Sequence, residues 1–133
     1  MGSDERTVVL DAGAVIGLAR DDHRLRRLVR AARQAGADFR VPMVVVAETI
    51  RGSGPRDAPV NLVLAQCAPQ HPLTENIARN AGQLLAEARS SATIDALVVA
   101  EAIACAPAVI WTSDERDLGR LVGQRTSVTV EPI

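Results

Sequence analysis

The sequence predicts an α/β domain built on a mostly parallel sheet with helices on both faces. Three observations carry this reading. Short β-branched runs alternate with helix-period segments along the whole chain. The run AVIWT at 108–112 is continuously apolar, as in strands buried on both faces. The helical segments open on residues suited to cap them and close near Gly or Pro. With 133 residues, 47% of them hydrophobic, the chain is long enough to close a core without disulfides, so residues 1–133 are expected to form one domain.

The first strand is expected over 7–10, delivering Asp11 at its carboxyl end, with Gly13 at the turn into a helix over 14–19. Asp22 suits the N-cap of a second helix whose apolar face is Leu25, Leu28, Val29 and Ala32, and Gly36 ends it. A short strand at 39–41 leads to Pro42, which suits the first turn of a helix carrying Val44, Val45, Ala47, Glu48 and Ile50. The run VVV leaves strand as the competing reading there. Gly and Pro then cluster at 52–59 (GSGPRDAP), which reads as a surface loop, followed by a buried helix over 59–67 and a short strand within 68–73.

Thr74 caps a helix to about Ala88, with Ile77, Ala78, Ala81, Leu84, Leu85 and Ala88 on one face. Thr93 is expected to cap the next helix, which Pro107 stops and which holds Asp95 in its first turn. The AVIWT strand ends at Ser113 and Asp114; a short helix over 115–122 and a strand over 127–130 complete the chain.

Composition narrows the chemistry. All 15 basic residues are arginine, so mechanisms that need an ammonium group, such as a phosphate-loop lysine or a Schiff base, are excluded. A net charge of −1 supplies no bulk attraction for nucleic acid. The polar start MGSDER lacks the apolar core and cleavage pattern of a secretory signal, and no apolar run is long enough to span a bilayer; a cytoplasmic protein with no membrane contact is expected. Cys67 and Cys105 lie in apolar stretches and read as small buried hydrophobes.

The acids are the informative residues. Asp11 and Asp114 fall at the carboxyl ends of strands, where open parallel sheets bind ligands. Asp95, in a helical first turn, is favoured by the helix dipole and can face the same edge. Glu48 follows VVVA, where solvation alone does not explain a carboxylate. Taken singly, each acid also reads as a cap or turn former, and Asp117 as surface charge. Carboxylates brought together disfavour one another's ionisation unless a cation offsets them.

Oxygen donors without nearby His or Cys suit Mg²⁺ or Mn²⁺ rather than zinc. Such a cation lowers the pKa of bound water and offsets charge on a leaving oxygen, which implies phosphodiester hydrolysis. His23, by an arginine-rich helix, and His71, in a proline-flanked loop, offer little to an imidazole mechanism.

Arg24, Arg26, Arg27, Arg30 and Arg33 make 22–35 basic, as a solvated face or as phosphate contacts; Arg51 and Arg56, flanking the loop near Glu48, are better placed to contact RNA phosphates. Phe39 and Trp111 are the only aromatics, and Trp111 lies on the buried strand, so recognition of a nucleic acid by base stacking is not expected.

The segments VVLDAGAVIGL, VPMVVVAETIRG, TIDALVVAEA and WTSDERDL, in that order, resemble the PIN-domain family, particularly VapC-like toxins of toxin–antitoxin pairs. The likeness covers nearly the whole chain. It implies a three-layer α/β/α fold, Mg²⁺- or Mn²⁺-dependent endoribonuclease activity, a homodimer, and an antitoxin that inhibits by occupying the active-site groove. By position, Asp11, Glu48, Asp95 and Asp114 match the family's acids, and Asp117 a further acid, with Asp114 or Asp117 as the principal fourth ligand. Thr112 and Ser113 match polar residues that help hold that site. Ala12 departs from the usual Ser or Thr, and Leu118 from the frequent Phe.

Rival readings differ in specific residues. A receiver domain also gathers acids at strand ends around Mg²⁺, but its phosphotransfer site uses a lysine, which this chain lacks. An aspartate-nucleophile phosphatase needs a second aspartate two residues after the first, and position 13 is Gly. A PIN fold kept as a binding module without catalysis is the remaining alternative.

Overall fold

The structure, a computed structural model, describes residues 6–67 and 70–133. The polar stretch 1–5 and two residues of the strand expected within 68–73 lie outside the described residues; 70–73 have no regular structure. Four strands form one parallel sheet: β1 (Thr7–Leu10), β2 (Asp38–Arg40), β3 (Ala108–Thr112) and β4 (Val128–Pro132), in the spatial order β2-β1-β3-β4. Leu10 pairs with Trp111 in the β1–β3 ladder, and the N–H of Asp11 donates to the Trp111 carbonyl (3.2 Å), so pairing runs to the residue after the strand.

Seven helices are described: α1 (Ala12–Ala19), α2 (His23–Gln34), α3 (Met43–Thr49), α4 (Gly54–Ala65), α5 (Glu75–Ala88), α6 (Thr93–Ala104) and α7 (Glu115–Val122). The architecture is three-layer α/β/α. α1 packs on β1, β3 and helices α2, α3 and α4, whereas α6 packs on β1, β3 and helices α5 and α7. A contact between α3 and α6 joins the two helical groups. No helix among the described residues is long and apolar enough to cross a membrane.

Local chemistry accounts for most boundaries. Asp22 Oδ1 accepts the Leu25 N–H (3.0 Å) and Thr74 Oγ1 accepts the Ile77 N–H (3.2 Å), each satisfying a donor that a helix start leaves free. α2 ends in a Schellman arrangement: Gly36 takes a φ of +91°, its N–H meets the Arg33 carbonyl, and the Ala37 N–H meets that of Ala32. The VVV run is helical, with Pro42 at the N-cap position rather than inside the first turn.

Three expectations need correction. The Gly/Pro cluster is not a loop throughout: α4 begins at Gly54, and Pro55, with its fixed φ and missing N–H, fits a first turn. α4 is also not a buried helix, since only Asp57, Val60 and Val63 are buried and Leu62 is 66% exposed. Thr93 does not cap α6; Ala92 holds that position without a side-chain bond, and Thr93 is already helical.

All five residues of β3 are buried, and Trp111 meets Phe39 edge-to-face at 5.6 Å, so both aromatics belong to the core. Leu118 is fully buried. Cys67 and Cys105 are free and half-buried rather than fully buried, and burial pushes both thiols up. One core feature has no local sequence signal: Glu101, 1% exposed, is paired with Arg40 of β2 at 2.8 Å.

Removing one partner of a buried pair strands a charge, at about 3–5 kcal/mol, whereas an exposed pair contributes under about 1 kcal/mol. Arg40→Ala is therefore expected to lower stability by several kcal/mol in urea unfolding. Arg79→Ala, at the exposed Arg79–Glu75 pair, should barely change it. Equal losses would contradict the account.

Candidate active site

The strand order explains where a site can form. β1 connects outward to β2 and β3 connects outward to β4 on the opposite side, so a crevice opens beyond the carboxyl ends of the adjacent β1 and β3. Asp11 follows β1; Ser113 and Asp114 follow β3. α6 leads back into β3, which puts its first turn, with Asp95, at this same edge. α3, packed on α6, carries Glu48 in its last turn.

Gly13 lies inside α1, not at a turn. A Cβ there would sit 2.4 Å from Ser113 Oγ, so glycine permits the close approach of α1 to the end of β3. Asp11 caps α1, its Oδ1 accepting the Ala14 N–H (3.0 Å), which fixes the direction of the carboxylate. Buried Thr112 accepts the Asp114 N–H on its Oγ1 at 2.8 Å and so holds the backbone that presents Asp114. Asp114 occupies the N-cap position of α7 without capping it, and its carboxylate is left exposed.

One carboxylate oxygen each from Asp95, Asp114 and Asp117 lies within 4.8 Å of the others, a separation a single cation can bridge. Asp95, half-buried, has its carboxyl pushed up first by burial, then by Asp114 and Asp117, then by Glu48 and Asp11. Glu48 is pushed up by burial and by Asp11, and pulled back by Arg51. Asp95 thus shares a field with both halves of the acid set. The three-oxygen group contains Asp117, which read in sequence either as surface charge or, by resemblance, as a further acid of the site, and does not include Asp11 and Glu48.

Next to Glu48 the surface falls into a groove of about 260 Å³ that includes Arg51 and Arg56, as the sequence suggested, and also Arg20, which it did not. Arg20 closes α1 as its C-cap, and no motif marks such a residue. Asp57 was missed as well. Its buried carboxylate accepts the N–H groups of Arg51 (2.9 Å), Gly52 (2.7 Å) and Ser53 (3.1 Å), bonds that hold it below the usual carboxylate range. It stands one residue beyond the spacing of a capping box, so the standard signal is absent.

Of the other basic candidates, Arg26 pairs with Asp21 and Arg33 reaches the Gln66 carbonyl over the Phe39 ring. Arg26, Arg30 and Arg33 line a separate, largely apolar groove between α2 and α4.

Over residues 8–123 the sequence matches the PIN domain family. The fold is similar to a chain of the crystal structure of VapBC2 from Rickettsia felis bound to a DNA fragment from their promoter. That match has a TM-score of 0.77 and 12% identity, and covers 96% of this chain and 98% of that one. No curated protein matches the sequence.

The acid crowding has a thermodynamic sign. Unfolded, Asp95 titrates near pH 4; folded, it holds its proton to higher pH. Between those values the native state binds more protons, so stability falls as pH rises through the window, and the cost persists above it. Without divalent cations, Asp95→Asn should therefore melt higher than wild type at pH 7, and its advantage should shrink as pH falls to 4. A variant that melts lower at pH 7 would refute the crowding.

Proposed function

The chain belongs to the PIN-domain family, and on that premise we propose that it is a divalent-metal-dependent endoribonuclease whose active site is Asp11, Glu48, Asp95, Asp114 and Asp117. The observation that carries this is the convergence of the Asp95, Asp114 and Asp117 oxygens within 4.8 Å beyond the β1–β3 edge, with Asp11 and Glu48 acting on Asp95 from the other side.

The donor set fits a hard cation. It is all carboxylate, it is crowded enough to push Asp95 up, and no His or Cys of the described residues joins it. Asp95, Asp114 and Asp117 would hold Mg²⁺ or Mn²⁺, with Asp11 and Glu48 completing the shell directly or through water. When bound, such an ion activates water for attack on a phosphodiester and offsets charge on the leaving oxygen.

The remaining roles belong to the chain itself. The Asp11 carboxylate is oriented by its bond to the Ala14 N–H, and the backbone of Asp114 is held by Thr112, so both residues are placed before substrate arrives. Glu48, held above its ordinary proton affinity by burial and Asp11, is suited to receive the proton of the attacking water on a carboxylate oxygen. Arg51 and Arg56 would neutralise phosphates of the bound strand.

We propose further that the protein is a toxin acting in the cytoplasm as a homodimer under control of a small antitoxin protein, a reading that rests on the resemblance of its motif segments to VapC-like toxins and agrees with the likeness in fold to a chain of the VapBC2 structure. The intact acid set argues for catalysis over a binding module with the same fold.

Purified protein should cleave single-stranded RNA with Mg²⁺ or Mn²⁺ and lose cleavage in EDTA. Asp95→Asn should reduce cleavage at least a hundredfold while keeping the native circular dichroism spectrum. Cleavage by Asp95→Asn at the wild-type rate would remove the acids from the mechanism. Mg²⁺ should also raise the melting temperature of wild type more than that of Asp95→Asn.

A further inference from the structure

The groove beside Glu48 is walled by three arginines from separate elements: Arg20 at the end of α1, Arg51 just beyond α3, and Arg56 in the first turn of α4. Glu48 is the one carboxylate among the residues that line the groove with them, together with Ile16 and Val60, and Arg56 also acts on buried Asp57 behind it. Their donors are mostly unspent. Among the described residues the side chains of Arg20 and Arg56 make no hydrogen bond or salt bridge, and that of Arg51 gives one N–H to the Ile50 carbonyl (3.1 Å). Arg40 and Arg125 are committed to Glu101 and Glu87, whereas Arg24, Arg27, Arg30, Arg89 and Arg116 also keep their side-chain donors free among the described residues; the groove is set apart by bringing three arginines from separate elements beside Glu48.

The groove is also built in advance. Asp57 holds the backbone of Arg51, Gly52 and Ser53, fixing the segment between α3 and α4, and α1 packs on both helices. Guanidinium forks match the paired oxygens of a phosphodiester, and contacts to phosphate set the position of a strand without reading its sequence. The groove has no aromatic wall on which a base could stack.

We propose that this groove binds the phosphodiester backbone of the RNA next to the scissile bond, with Arg20 as a substrate-binding residue alongside Arg51 and Arg56. The proposal rests on the nuclease reading and adds a direction to it: the strand leaves the acids past Glu48, between α1 and α4, rather than past Asp117.

The test uses the full chain carrying Asp95→Asn, a fluorescein-labelled single-stranded RNA, and anisotropy titrations across a series of salt concentrations. Adding Arg20→Gln or Arg56→Gln should weaken binding about tenfold at low salt. Each should flatten the plot of log Kd against log salt by about 0.7, the share of one phosphate contact on a single strand. Arg20→Lys should keep the slope and lose part of the affinity. Arg79→Gln, which removes the same charge outside the groove, should leave the slope unchanged.

In the active chain, Arg20→Gln should raise KM more than it lowers kcat. If RNA binds and is cleaved by wild type but Arg20→Gln changes neither slope nor KM, the subsite is overturned and its arginines are left to a protein partner. If wild type neither binds nor cleaves RNA, the nuclease reading falls and the subsite with it.

Discussion

The parallel pairing of β1 with β3 is the constraint from which the rest of the site follows. It extends to the N–H of Asp11 on the Trp111 carbonyl, so the chain leaves both strands at the same level. From there Asp11 turns into α1 and Ser113–Asp114 into α7, and the two helix starts are forced close together. Gly13 is the residue that accepts this proximity, since a methyl group there would collide with Ser113 Oγ. Apolar burial of the AVIWT strand on both faces keeps the ladder in register, because a slip of one residue would turn its side chains to the wrong faces. Core packing and carboxylate placement are therefore one arrangement.

That arrangement gathers negative charge that the bare protein does not neutralise. Asp95 feels four other acids, and the nearest cation acting on the set is Arg51, whose effect falls on Glu48. The protein tolerates the crowding by fixing the backbones that carry the acids: Thr112 holds Asp114, and Asp11 is engaged with its own helix. Such preorganisation keeps the backbones that carry the acids close together despite the repulsion. Stability is lost locally and recovered in the core around Ile110 and Trp111, which are buried.

Much of this was legible because it is local. The TVVL and AVIWT runs, the Asp22 and Thr74 caps and Gly36 each announce themselves within a few residues, and the structure uses all of them. The strand-end position of Asp11 and Asp114 followed from the same local reading. What was misread depends on position inside an element. Gly54 and Pro55 look like a loop in sequence but open α4, and Thr93 resembles a cap yet falls one residue too late. What was invisible depends on a pair far apart in the chain, Arg40 with Glu101, and Asp117 joined Asp95 in the acid set only through the family resemblance, since local reading leaves it as surface charge.

The arginine groove shows why composition misleads for a protein of this kind. A net charge of −1 averages two opposed regions that share one residue, Glu48. On one side carboxylates crowd to attract a cation; on the other, arginines keep their donors free. A polyanionic strand is repelled by the first region until a cation is present and attracted by the second at all times. Under the proposed function the two would act in sequence on the same molecule, the groove capturing the backbone and the metal-loaded acids accepting the phosphate beside it. Charge separated over a short distance does this work, and no bulk positive charge is required.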